Sequence, residues 1–438
     1  MTEIKSAMDT GVYDNQPSHE SKDVAGFGSP PATTCVEKYH PQSVPDTKEL
    51  YATNNPFLEK GPKAFRAYSS KDCWLPFEIV EEIISRAPIE SVIRCKPTSK
   101  QCYALCNHKR FIYNHLNLSQ ERFMRIYSDN VEIINPATLD ILSLPVPAEF
   151  NCVPCTRILS VIHCNGLLLC KWITGLRNVN VAVWNPVLGQ VKFVDTSSHS
   201  ALDIYGFGYD KDSYKILRIS VRPDEFEIYD FKSKLWRAFS ATMDWYLYTP
   251  DLKVSMNGIM YWLATTKGAR IRETFIQSFD FSKETFKPIC LVPFEWSRID
   301  DAEAFSAFRG DRLSLFRQLF GDKDETREIE VWVTNKVTDG VVTLSKYFNV
   351  ARPDLPILNP RFCRLMCVPT FFIHKTNSIM LWCDKIVGEG YACTSFYEIG
   401  RGEIKKQVET GQPFSAEDER NHCVCSFVYV PSLVPVPE

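Results

Sequence analysis

The chain is 438 residues long, carries a formal net charge of -3 and is 45% hydrophobic, a composition that suits one large globular domain with smaller companions. No lysine or arginine block stands out, so composition points to a protein partner, with no nucleic-acid face and no membrane-surface patch. No stretch approaches the roughly 18 apolar residues of a membrane span, and the opening MTEIKSAMDTG lacks an apolar core with a cleavage site. A soluble chain of the nucleus or cytoplasm is expected.

Residues 1 to 70 are rich in Ser, Thr, Pro, Asp and Lys ("QPSHESKD", "GFGSPPATT", "HPQSVPDTKE") and show no sustained period, which predicts a disordered tail. Residues 73 to 118 read as a compact unit of three short helices. Leu75-Pro76 leads in, and Ile79, Val80, Ile83 and Ile84 form an i, i+1, i+4, i+5 stripe with Glu78, Glu81 and Glu82 elsewhere on the helix. Pro88 ends that helix, Val92, Ile93 and Cys95 form a second apolar patch, and Tyr103, Ala104, Leu105, Phe111 and Ile112 follow at helical intervals. A unit of about 45 residues lies near the size at which a single core needs help from a metal, a disulfide or another chain. With no metal pattern in it, the surplus apolar face predicts a partner.

Leu75-Pro76, Ile83-Ile84, Arg86, Pro88, Val92, Arg94 and Lys100, with Phe111 and His115 downstream, resemble an F-box: LP, an apolar helix, R-x-P, then R and K. The resemblance implies docking onto a Skp-type adaptor, which in turn holds a cullin scaffold, a RING protein and a ubiquitin-conjugating enzyme. Leu75, Pro76, Ile79, Ile83, Ile84, Arg86, Pro88, Val92, Arg94 and Lys100 are the adaptor-binding residues it implies. Two positions depart from the family: Ala87 stands where leucine is usual and Cys102 where tryptophan is usual, and both remove apolar bulk.

Beyond residue 120 the pattern turns to short strands rich in Val, Ile, Tyr, Phe and Trp, separated by turns. A hairpin recurs in "VEIINPATLDILSL", "VAVWNPVLGQVKFV", "FEIYDFKSKLWRAF", "IQSFDFSKETFKPI", "IEVWVTNKVTDGVVTLSKYF" and "SFYEIGRGEIKKQV". Its turn markers Asn135, Asn185, Asp230, Asp280, Asn335 and Glu398 are spaced by 50, 45, 50, 55 and 63 residues. Before five of these hairpins lies an inner one, and each pair makes a four-stranded sheet, the unit of a β-propeller blade. The first unit has only three strands, while "VCSFVYV" at 424 to 430 is a strand without companions. The fold expected is therefore α+β and multi-domain: the small three-helix unit, then an all-β six-bladed propeller over 122 to 432. The C-terminal strand closes the ring as the innermost strand of the N-terminal blade and so removes the open edges.

This region also resembles the F-box-associated (type 1, kelch-like) β-propeller of plant F-box proteins, through "CNGLLLC", "VWNPVLGQ", "YGFGYD", "YKIL", "EIYDFKSKLWR" and "GIMYWLA". Together the two resemblances imply a substrate-recognition adaptor of a ubiquitin ligase, with the propeller binding a target protein. Turns between first and second strands are tight, whereas the connections on the opposite face are long, and long loops on a rigid scaffold commonly carry recognition. On that face Trp245, Tyr246, Tyr248, Arg270, Arg272, Trp296 and Arg298 are of the types favoured as binding anchors and form the candidate substrate face.

Sixteen cysteines are spread from Cys35 to Cys425, and without a secretory signal they are read as reduced core residues. Cys152-x-x-Cys155 with Cys164 and Cys170 is the best metal candidate, but its second pair is five or more residues apart and strand-borne, so no metal or cofactor is expected. The eight histidines form no H-x-x-x-H pattern in the ring, and neither a nucleophile elbow nor a phosphate loop occurs. A non-catalytic subunit is the expectation. A stand-alone protein- or glycan-binding propeller with a degenerate box is the alternative, and a propeller hydrolase or oxidase a weaker third.

Overall fold

The computed structural model describes residues 76–127, 130–150, 157–174, 178–196, 199–211, 213–222, 225–247, 252–268, 273–294, 302–320, 327–358, 369–388, 391–410, 414–415 and 425–438. The tail expected over 1–70, together with Leu75, Cys152, Cys155, Tyr248, Arg270, Arg272, Trp296 and Arg298, lies outside them.

Among the described residues four helices open the chain where three were expected: α1 (Phe77–Ser85), α2 (Ile89–Cys95), α3 (Lys100–Asn107) and α4 (Lys109–Leu118). The extra boundary falls at His108, whose extended backbone (φ -77, ψ 124) ends α3 and starts α4. Pro76 and Pro88 precede α1 and α2 at φ -50 and -55, where a missing N–H costs nothing. Ser99 caps α3, its Oγ accepting the Cys102 N–H at 3.0 Å. Ile84, Ile89, Val92, Leu105, Phe111 and Ile112 close the helical core. The buried His115 ties α4 to the α1–α2 turn, its Nε2 3.0 Å from the Ala87 carbonyl, and burial holds its pKa below the ordinary imidazole value.

Six antiparallel sheets follow. In the first, β1 (Arg122–Ile126), β2 (Asn130–Ile134) and β3 (Ile141–Pro145) are joined by β26 (Cys425–Tyr429), which pairs with β1 so that Phe123 faces Val428 and Ile126 faces Cys425. The innermost strands β4 (Arg157–Cys164), β8 (Ile204–Tyr209), β13 (Lys253–Met256), β17 (Ala302–Phe308), β21 (Thr370–Ile373) and β26 adjoin in turn around a closed ring. The C-terminal strand is thus the innermost strand of the N-terminal blade. In the fourth blade the innermost edge is shared by β12 (Trp245–Leu247) and β13, both paired with β14 (Ile259–Thr266).

Two turn chemistries set the blade repeat. Inner hairpins turn on Asn165-Gly166, Asn257-Gly258 and Arg309-Gly310, with φ near 54° and then 71–81°, the left-handed pair that a two-residue type I′ turn requires. Outer hairpins turn on the marker residues: the side chains of Asn135, Asn185, Asp230 and Asp280 each accept the backbone N–H two residues on, at 2.8–3.0 Å. Asn335 instead spans a longer loop and accepts from Thr343 at 2.8 Å. At Glu398 the reversal is made by Gly400 bonding Glu403 and by Gly402 at φ 93°.

The seam between the last blade and the first is polar at its centre. Arg125 of β1 pairs with Asp384 of β22 (Ile379–Gly388), both side chains at 2% exposure or less, and Thr394 bonds both at 2.9 and 3.0 Å. The guanidinium lies 4.5 Å from the Trp382 ring centre, and Phe123 packs on Phe372 and Trp382 beside it. Cys164 and Cys170 are buried in β4 and β5 (Leu167–Thr174), and burial pushes the Cys164 thiol up to about 12.

Candidate functional site

Helix α1 buries Ile84 and Ser85 and leaves Phe77, Ile79 and Ile83 exposed at 44%, 46% and 55%. Ile79 and Ile83 are four residues apart, roughly 40° around a helix of about 3.6 residues per turn, so they stand one above the other. Exposed apolar side chains in a row on a small helical unit mark a surface that another protein covers. On another side of α1, Phe77 and Glu81 line an open groove with Gln101, Ala104 and Leu105 of α3 and Arg110 of α4. Tyr103 adds a further exposed ring at 59%, with the Lys96 ammonium 5.5 Å from its centre.

The residues expected to meet an adaptor divide. Pro76, Ile79, Ile83, Arg86, Pro88, Arg94 and Lys100 are exposed, with Arg86 pairing Glu82 at 2.5 Å along the helix. Ile84 (7% exposed) and Val92 (0%) face inward and are corrected to core residues, because they lie on the α1 and α2 sides packed within the unit. Ala87 and Cys102 are half-buried against the same core. Phe77 and Tyr103 belong to the exposed surface and escaped a reading based on the motif. The phase of each residue within its own helix was the available signal.

The helical unit is seated on the tight-turn side of the ring. Glu90 of α2 takes both guanidinium nitrogens of Arg122 on β1, the second at 3.1 Å. Burial alone would raise the Glu90 carboxyl, but the Arg122 hydrogen bond and charge outweigh it and hold it below its ordinary value. Tyr113 of α4 meets Tyr214, next to the Asn165 turn. One apolar cluster runs from Ile84 and Phe111 through Tyr429 into the second blade.

At the other end of the strands the expected substrate face is only partly described. Trp245 is corrected: it is 3% exposed, lies on β12 instead of in a loop, and packs edge-on to Phe286 at 5.5 Å. Its indole fills the space beside an innermost strand and is not available to a partner. Tyr246, next along β12, is 58% exposed with the Lys267 ammonium 4.8 Å from its ring centre.

A helical unit with an uncovered apolar stripe, locked onto a six-bladed ring, defines a two-part adaptor-type protein. Comparison with known proteins gives the family: residues 73–114 match the F-box domain and residues 116–436 the F-box associated beta propeller domain. A putative F-box protein of Arabidopsis thaliana is 62% identical over 383 residues, covering 83% of this chain and 99% of the relative. A second putative F-box protein of that plant is 44% identical, covering 83% and 98%. The F-box/WD-40 repeat-containing protein 1 of Arabidopsis is 40% identical, covering 86% and 92%. The chain belongs to the F-box proteins that carry an F-box-associated β-propeller, a family of the substrate-adaptor type whose F-box domains in general bind Skp-type adaptors.

Proposed function

We propose that the chain is the substrate receptor of a Skp–cullin–F-box ubiquitin ligase. The F-box holds the Skp-type adaptor, and through it the cullin and RING subunits, while the propeller binds a target protein on the side of its long connections. The chain itself performs no chemistry in this reading, and the assembly works in the nucleus or cytosol. The observation that carries it is the exposed row of Pro76, Ile79 and Ile83 on a unit whose remaining large apolar residues are mostly buried. Tyr246 is the described aromatic offered for target contact, at the edge of the fourth blade.

The test is co-expression of the chain with a plant Skp-type adaptor, followed by size exclusion and titration. A one-to-one complex lost in the Leu75→Ala/Pro76→Ala and Ile79→Ser/Ile83→Ser variants supports the reading. Absence of a complex at micromolar concentrations, with the ring folded, sinks it and favours a stand-alone binding propeller. Ala87 and Cys102 then become the explanation, since each is smaller than the residue usual in the family and each lies half-buried against the F-box core.

A further inference from the structure

After β26 the chain does not leave the ring. Residues 430–436 cross the tight-turn side of the second blade, with Ser432, Leu433 and Val434 buried. Asn185 of β6 (Asn178–Asn185) donates to the carbonyls of Ser432 and Val434 at 3.2 and 2.7 Å, and Val436 N–H reaches Gln190 at 3.1 Å. Ser432 Oγ donates to the Asn165 carbonyl at 2.6 Å. The neighbouring Gly166 is at φ 81°, and any side chain there would run into Ser432, so the segment is pressed directly onto the turn.

The same turn faces the F-box. Asn165 Nδ2 donates to the Tyr214 hydroxyl at 3.2 Å, and Tyr214 lies beside Tyr113 of α4. A run of contacts therefore leads from Ser432 through the backbone and side chain of Asn165 to Tyr214 and on to Tyr113. A second link runs alongside: Tyr429, which opens the segment, faces Arg122 in the strand register, and Arg122 is the partner of Glu90 on α2. His163 accepts the N–H groups of Gly166 and Val430 at 2.9 and 3.4 Å and completes the contact between turn and segment.

We propose that the 430–436 segment is a latch that sets the seat of the F-box on the propeller, with Ser432 and Asn165 as positioning residues. Ring closure and F-box orientation are then one event, and the angle between adaptor and target is controlled from the C-terminal segment. This goes beyond the ligase reading and does not depend on it, since these contacts are internal to the chain.

The experiment is backbone hydrogen exchange on the full chain carrying Ser432→Ala or Tyr113→Phe, each of which removes one hydroxyl. Coupling between two sites is reciprocal. Ser432→Ala is expected to speed exchange several-fold in α4, and Tyr113→Phe to do the same in residues 430–436. In both, β18 (Arg312–Phe320) on the far side of the ring keeps the parent rate. Combining the two is expected to add less than the sum. Exchange confined to the mutated element in either variant, or strictly additive effects, overturns the latch. Asn165→Gly keeps a turn that tolerates positive φ and removes only the amide, so an α4 at parent rate in that variant also overturns it.

Discussion

The F-box and the propeller treat their apolar residues in opposite ways. The ring closes on itself and buries several of its largest side chains completely, Trp172, Trp262 and Trp382 among them. The F-box buries one side of each helix and leaves Phe77, Ile79 and Ile83 in water. A closed array has no free end and so needs no partner for stability. The small helical unit instead keeps an uncovered apolar stripe, the surface proposed above for the adaptor. Under the proposed function the contrast gives stability to the ring and partner recognition to the stripe, and substitutions in the two regions separate these effects.

The largest expected effect is in the ring seam. Trp382→Ala removes a fully buried indole and the platform of Arg125, and should cost about 3–5 kcal/mol by calorimetry or denaturant titration. A loss under about 1 kcal/mol would mean that the seam is not continuous core.

Arg125→Met should be nearly as damaging, at about 3 kcal/mol, because it strands the Asp384 carboxylate away from water. The Arg125→Met/Asp384→Leu double variant should recover most of that loss. If the double variant were as unstable as the single, the ion pair would be adding net stability in its own right.

Acid should loosen closure before it unfolds the far blades. Burial pushes His163 down to about 4 from an ordinary value of 6.5. The unfolded chain therefore takes up a proton below pH 6.5 while the folded chain resists until about 4. Stability is fully present above 6.5 and falls by about 1.4 kcal/mol per pH unit as the pH drops through that window. Glu90 acts in the same direction lower down: its folded pKa lies below 4.5, so its contribution is present above that value and lost as pH falls further. His163→Leu, less stable at pH 7, should flatten the slope between 6.5 and 5, leaving the part that His115 and His199 contribute in the same direction. An unchanged slope in melting temperature would show that other groups carry it.

The smallest effect on folding should come from the stripe. Ile83→Ser should change stability by no more than about 0.5 kcal/mol, as expected for an exposed site, while weakening Skp-type adaptor binding at least tenfold in a titration. A stability loss with unchanged binding would reverse the contrast between the two regions.

Much of this was legible along the chain. The blade period was readable because its turns are local chemistry. An asparagine or aspartate that caps its own turn, as at Asn135, Asn185, Asp230 and Asp280, needs no distant partner to act. Asn-Gly at 165–166 and 257–258 likewise announces a two-residue reversal. Closure by β26 was deducible because one strand was missing and one was spare. Side-chain destination was not deducible. Trp245 looked like a loop anchor because its neighbours are polar and irregular, yet β12 pairs with β14 and turns the indole inward. Ile84 and Val92 carry the same apolar signature as Ile79 and Ile83, and only the packing of α4 against α1 and α2 separates core from surface.

Sequence alone determined the two-part order, the six-fold repeat and the identity of the apolar helix, since composition, period and turn residues act over a few neighbours. Tertiary structure decided which apolar residues remain uncovered, that Arg125 finds Asp384 at the seam, and that residues 430–436 lie across the Asn165 turn beneath the F-box. Those outcomes join residues more than 250 positions apart. No local preference encodes such a pairing, because it exists only once the ring has closed.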